Sequence, residues 1–185
     1  KINTKEVQIS IEKIIKSAVK RQDMTLYFSP IKKNQTELII QKCTEIGVTN
    51  FQPILMERTN FSSFNIDRLN LIAIEAVEQS EQMMIPNIHE PIKFEELLSR
   101  DQNNQITLVC SVAENSNSIR NVVKNNRGVN YSLMIGPEGD FSKIEMSKIK
   151  NKQNYFTVSL GDTVLKAETA SIAAAGILKD SLLHD

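Results

Sequence analysis

Several features are missing from this chain, and each absence excludes a class of function. Neither charge is in excess: 22 Lys and Arg balance 22 Asp and Glu, for a formal net charge of zero. A globally basic nucleic-acid binder is thereby excluded, although a local basic face is compatible with neutrality. No apolar run approaches the roughly 20 residues that span a bilayer, so no membrane partner is expected. Only Cys43 and Cys110 could form a disulfide. Both sit among apolar neighbours on different expected elements and read as buried, reduced thiols of a cytoplasmic protein. His89 and His184 have no Cys or acidic partner at ligand spacing, so no metal is expected. No Ser/His/Asp order and no internal repeat can be read. The start, Lys1–Ile2–Asn3, has neither an initiator Met nor a signal-peptide pattern, and reads as a truncated front.

What remains is an ordinary globular composition, 41% hydrophobic and 24% charged over 185 residues. That is enough for one domain with a small attachment. Val7, Ile9 and Ile11 alternate with polar residues as in a short strand, but the segment to Arg21 is lysine-rich and too short to bury a core. Leu26–Tyr27–Phe28 is the first core strand, ended by Pro30. Asn34–Gln35–Thr36–Glu37 has the form of a loose capping box. Apolar spacing then continues to Ile46, where Gly47 suits a helix C-terminus. Val48–Met56 is a strand region in which Pro53 argues for an edge or a bulge.

A second helix starts near Asn65, with Leu69, Ile72, Ala73, Ala76, Val77 and Ser80 on one face. Pro86 and Pro91 bracket an extended connection, and Phe94–Leu98 is a short helix. Ile106–Cys110 is apolar without alternation, as buried parallel strands are. A helix lies under Ile119, Val122 and Val123. Ser142–Lys143–Ile144–Glu145 is a clean capping box for a helix reaching Lys150. The helix–strand rhythm is that of an α/β fold.

Two strand–turn–helix junctions draw attention, Leu133–Phe141 and Tyr155–Ala170. In α/β folds ligands gather at the carboxyl ends of strands, so two such junctions suggest one pocket. In Gly136–Pro137–Glu138–Gly139 the glycines admit a ligand close to the backbone and Pro fixes one φ. The turn lacks Gly-Lys-Ser/Thr and the spaced triple glycine of a dinucleotide site, and Glu138 repels phosphate. A neutral or cationic ligand fits better. Glu168 and Thr169 open a last helix whose face from Ala170 to Gly176 is unusually small.

Four blocks in order carry a resemblance. They are Gln41–Val48, Glu75–Ser80, Gly136–Phe141 and the run from Leu160–Gly161 to Leu165–Ala170. Over about residues 25 to 182 the chain resembles the small-subunit ribosomal RNA uridine-N3 methyltransferase family, of the knotted SPOUT class. The resemblance implies a parallel α/β sheet with a C-terminal trefoil knot over 25–185. It implies that 1–24 is the remnant of an N-terminal PUA-like RNA-binding barrel. It also implies a homodimer acting on ribosomal RNA, in the assembled small subunit.

The cofactor implied is S-adenosylmethionine, held by Ile135, Gly136, Pro137, Glu138, Gly139, Leu160, Gly161, Leu165, Glu168, Thr169 and Ala170. Cys110, Ser111 and Val112 would form a third wall. Glu45, Arg58, Gln79 and Ser80 match blocks that border the RNA side. The family usually has Gly where Asp140 stands, which implies a stiffer loop or one needing less left-handed backbone. It usually has Arg at Lys166, which keeps the charge but loses the planar fork. Gln82 stands where a basic residue is common. Lys166 is the expected catalytic residue, stabilising a uracil anion or holding the target phosphate. The alternatives are a SPOUT enzyme with another RNA target, or a catalytically weakened RNA-binding module.

Overall fold

The computed structural model describes residues 9–15, 22–60, 63–100, 104–111 and 117–183. Its elements are β1 (Met24–Phe28), α1 (Lys33–Ile46), β2 (Asn50–Leu55), α2 (Ile66–Gln79), β3 (Asn87–Ile88), β4 (Ile92–Lys93) and α3 (Phe94–Ser99). There follow β5 (Gln105–Cys110), α4 (Ile119–Asn125), β6 (Asn130–Ile135), α5 (Lys143–Lys150), β7 (Tyr155–Val158) and α6 (Ala167–Leu183). The sheet runs β3-β2-β1-β6-β5-β7, with β4 also on β2, and its strand pairs are parallel.

Both faces of the sheet are covered, which is why the central strands are largely apolar. Leu26, Phe28, Leu108, Cys110, Leu133 and Ile135 join one core with residues of α1, α2, α4 and α6. Their strand neighbours Tyr27, Val109 and Met134 point the other way, to a second core with Phe94, Leu97 and Ile149. The alternation is that of the pleat, apolar on both faces with exceptions such as Thr107 and Ser132, whose buried hydroxyls bond each other at 2.8 Å.

The expected boundaries hold with three differences. The capping box at Asn34–Glu37 does not form. Lys32 is the N-cap and makes no side-chain cap; instead Thr36 Oγ1 accepts from Ile31 N–H at 3.3 Å and donates to Ile31 O at 3.2 Å. A threonine hydroxyl that reaches back to the incoming chain replaces the usual cap. The strand expected over Val7, Ile9 and Ile11 lies in part outside the described residues, and Ile9–Ile15 are irregular and exposed. Pro53 is neither at a free edge nor in a bulge. β2 pairs β3 at Asn50 and Phe51 and β4 at Ile54 and Leu55, so Pro53 falls in the break between them, where no N–H is needed. Gln52 Nε2 bridges that break with a 2.7 Å bond to Glu90 O.

Candidate active site

Parallel strands put their carboxyl ends on one edge, so the turns after β1, β6 and β7 converge there. The chain order switches between β1 and β6: the helix after β1 packs on one face of the sheet and that after β6 on the other. Such a switch point is where open α/β sheets leave a crevice. A cleft of about 690 Å³ lies there. Lys32 and Gln35 enter it from the first turn of α1, and Ile135, Gly136, Pro137, Glu138 and Asp140 from the turn after β6. Val164, Leu165, Lys166, Ala167, Glu168 and Ala170 close it from the start of α6.

The turn after β6 is built for close packing. A Cβ on Gly136 would stand 3.1 Å from the Phe141 ring, so a side chain there would displace the ring. Asp140 N–H closes the turn on Pro137 O at 2.9 Å. Asp140 has φ +58°, so the loop does need left-handed backbone at this position, contrary to one of the two expectations. Aspartate tolerates that region because its carboxylate bonds locally; Oδ1 accepts from Phe141 N–H at 2.8 Å. The Ser142–Glu145 capping box forms as expected. Glu145 is buried and also accepts Glu57 N–H at 2.8 Å, which ties the loop after β2 to this turn. From that loop Arg58 Nη1 donates to Gly139 O.

Of the expected cofactor residues, Ile135, Gly136, Pro137, Glu138, Leu165, Glu168 and Ala170 line the cleft, together with Lys166. Gly139 lies beside it under Arg58. Cys110 is buried at the end of β5, and Ser111 Oγ is 3.5 Å from Asp140 Oδ2. Leu160 packs on the core, Gly161 takes φ +125° in an exposed turn, and Thr169 is exposed on α6. Val112 and His184 lie outside the described residues. Burial pushes the Cys43 and Cys110 thiols up to about 12, so neither is a ready nucleophile.

Glu45, Gln79 and Ser80 are not brought to the cleft. They stand at the C-terminal ends of α1 and α2, on the opposite edge of the sheet. Glu45 pairs with Lys42 at 2.8 Å, and Ser80 Oγ donates to Ala76 O at 2.6 Å. Gln82 Nε2 donates to Thr44 O at 2.6 Å, joining the two helix ends. Lys32, Gln35 and Val164 are cleft residues that the motifs did not single out. The signal for the first two was available: Phe28–Pro30–Lys33 is a third strand–turn–helix junction. Lys32 and Lys166 have no ion-pair partner among the described residues.

Residues 18–179 match the model of the RNA methyltransferase domain family. The chain belongs to that family. It is 30% identical over 174 residues to the ribosomal RNA small subunit methyltransferase E of Rickettsia conorii, covering 94% of this chain and 70% of that one. The Synechocystis protein of the same name is 34% identical, over 82% of this chain and 51% of its own. The crystal structure of the Neisseria gonorrhoeae enzyme of that name, bound to S-adenosyl methionine, superposes with a TM-score of 0.78 at 26% identity. That match covers 86% of this chain and 66% of the Neisseria chain. A tRNA modifying enzyme from Aquifex aeolicus shares the fold at a TM-score of 0.58 and 11% identity. No helix among the described residues is long and apolar enough to cross a membrane. Among them, no group of three or more His, Cys, Asp and Glu is placed to hold a metal.

Proposed function

We propose that this chain uses S-adenosylmethionine to methylate N3 of a uridine in small-subunit ribosomal RNA. The carrying observation is the cleft between the turn after β6 and the start of α6. It lies in a chain similar to the Neisseria enzyme crystallised with that cofactor.

The residues present fit the cofactor. About 690 Å³ falls within the usual range for small-molecule sites. The turn 136–138 and the small side chains of Ala167 and Ala170 line the cleft. The Glu138 and Glu168 carboxylates favour a cation over free phosphate. When bound, the cofactor supplies an electrophilic methyl group on a sulfonium.

The turn 136–139, Leu160–Gly161, Leu165 and Glu168–Ala170 would hold it, with Cys110 and Ser111 as a third wall. Uracil N3 is hidden in a base pair, so the target must be unpaired or flipped out. Its proton is weakly acidic, and a cation that stabilises the uracil anion aids methylation more than a strong base does. Lys166 lies in the cleft with no ion-pair partner among the described residues, and takes that role. Arg58 borders the RNA side from the loop after β2.

In this reading, 24–185 is the SPOUT domain and its C-terminal segment is a trefoil knot. β7 lies outside β5, yet the chain after it returns past β5 to the cleft beside β6 and β1, which supports threading. Residues 1–23 belong to a PUA-like barrel, one residue short of the expected boundary because Met24 opens β1; Ile9, Ile11, Ile14 and Ile15, 75–93% exposed, are side chains that such a barrel would cover. A homodimer in the cytoplasm acts on the assembled subunit. The small face of α6 is open at Gly176, where a Cβ would meet nothing within 4 Å, and suits close packing of a second copy.

The test is a methylation assay on free small-subunit RNA and on assembled subunits, with nucleoside analysis. N3-methyluridine is expected, chiefly from assembled subunits. A ribose-methylated product would reassign the target. No product, with no calorimetric response to S-adenosylhomocysteine, would leave a binding module and sink the reading.

A further inference from the structure

A second cavity, about 220 Å³, lies across the first turn of α1 from the cleft. Lys32 and Gln35 face the cleft, while Lys33, Thr36 and Glu37 face this pocket, so one helical turn divides the two. Its walls include Phe64 and Leu69, and Arg68 stands with Lys33 at its edge. Thr36 fixes the dividing turn by its two bonds to Ile31.

One cation here is unpaired and the other only loosely held. Lys33 has no ion-pair partner among the described residues. Arg68 Nε reaches Glu37 Oε1 only at 3.5 Å, and its other guanidinium nitrogens make no bond among them. Two lysines also open α1 with no carboxylate in its first turn. Cations at that end oppose the helix dipole, so helix stability does not account for them. The cavity at the opposite sheet edge, about 520 Å³, is different. There Arg100 is paired with Glu96 at 2.9 Å and Lys152 is bonded to Leu98 O at 2.8 Å.

We propose that the pocket of Phe64 and Arg68 takes the nucleotide next to the target uridine. Single-stranded RNA then crosses the first turn of α1, with phosphates at Lys32, Lys33 and Arg68 and the neighbouring base against Phe64 and Leu69. Proteins hold single strands by such a pairing of cationic track and apolar or aromatic platform. A chain of zero net charge has no general attraction for RNA, so its free cations must be concentrated along the strand's path. The inference rests on the cleft being the methylation site.

The test measures binding of a short oligouridylate to the protein loaded with S-adenosylhomocysteine, by fluorescence anisotropy across a series of salt concentrations. Lys33→Ala/Arg68→Ala should weaken binding by about tenfold at low salt. It should also flatten the log–log salt slope by about 1.4, the value for two lost phosphate contacts on a single strand. Phe64→Ala should weaken binding by about fivefold with no change of slope. Uridine monophosphate, too short to reach the pocket, should bind all variants equally. S-adenosylhomocysteine affinity, unchanged in every variant, certifies the fold. Wild-type affinity and slope in the double variant would overturn the proposal, as would failure of the wild type to bind the oligonucleotide. If the wild type binds no S-adenosylhomocysteine and methylates nothing, the cleft reading falls by that separate readout, and the proposal falls with it.

Discussion

Arg58 donates from Nη1 to the carbonyl oxygen of Gly139, 81 positions further along the chain. The two are in packing contact as well, since a Cβ at 139 would stand 3.2 Å from Arg58 Cδ. The bond spans two loops that only the tertiary fold brings together, and one of them forms a wall of the cleft. Arg58→Ala should therefore weaken S-adenosylhomocysteine by about fivefold, near the value of one hydrogen bond from a charged donor after allowance for its exposure. Gly139→Ala should act through the same contact. Calorimetry on the double variant should show a loss no greater than the larger single loss; additive losses would mean that the two residues act separately.

Asp140 supports the same turn at a backbone cost. Asp140→Gly removes the left-handed strain and the bond to Phe141 N–H together, and should change stability by less than about 1 kcal/mol. Asp140→Ala keeps the strain and loses the bond, and should cost about 2 kcal/mol. Urea unfolding of the three proteins should give the order Asp and Gly above Ala.

Glu145 carries two loops on one buried carboxylate. Its Oε2 accepts Ser142 N–H and its Oε1 accepts Glu57 N–H, both at 2.8 Å. Glu145→Ala leaves both donors without a partner and should cost about 3 kcal/mol. Glu145→Gln keeps a single acceptor and should fall between. Equal stability of Ala and Gln variants would show that the side chain's charge-assisted bonds are not what holds the loops.

Lys166→Ala should lower turnover by about a hundredfold and leave S-adenosylhomocysteine affinity within about twofold, as for a group that acts on developing charge. Lys166→Arg, which keeps the cation, should keep activity. Equal loss of turnover and cofactor affinity would instead make Lys166 part of the cofactor site.

Alkaline pH should destabilise the protein through its thiols. Burial raises Cys43 and Cys110 from 9.0 to about 12, so the unfolded chain releases these protons first. Their contribution is complete below about pH 9 and is lost as pH rises toward about 12. Burial also raises the Tyr27 hydroxyl, against smaller opposing effects of Gln105, Arg100 and Ser132, and so adds in the same direction. The urea midpoint should fall between about pH 8 and about pH 10.5, and Cys43→Ala/Cys110→Ala should flatten that fall.

Much of the fold can be read from local signals, because its elements carry them. The apolar run Ile106–Cys110, the Ser142 capping box and the Asn65 cap each state an element within a few residues. The start of α1 could not be read this way, since Thr36 satisfies Ile31 behind it and no cap residue is used. The break around Pro53 depends on how two short strands share one partner, which is a matter of register.

The cleft was legible where motif and strand end coincide, at 135–138, 165, 166, 168 and 170. Lys32 and Gln35 reach the same cleft only because β1 lies beside β6, an adjacency of strands far apart in the chain. Glu45, Gln79 and Ser80 show the converse. They sit in blocks that carry the resemblance, yet the direction of their helices takes them to the far edge.

The interrupted pairing along β2 also bears on how the molecule meets its neighbours. One margin of the sheet is made by β3 and β4, two residues each, and is broken opposite Gln52 and Pro53. The other is the four-residue β7, partly occupied by Asn117. Among the described residues, neither margin offers a long row of free backbone groups on which a further strand could grow. Contacts with neighbouring molecules are thereby directed to side-chain surfaces and away from extension of the sheet.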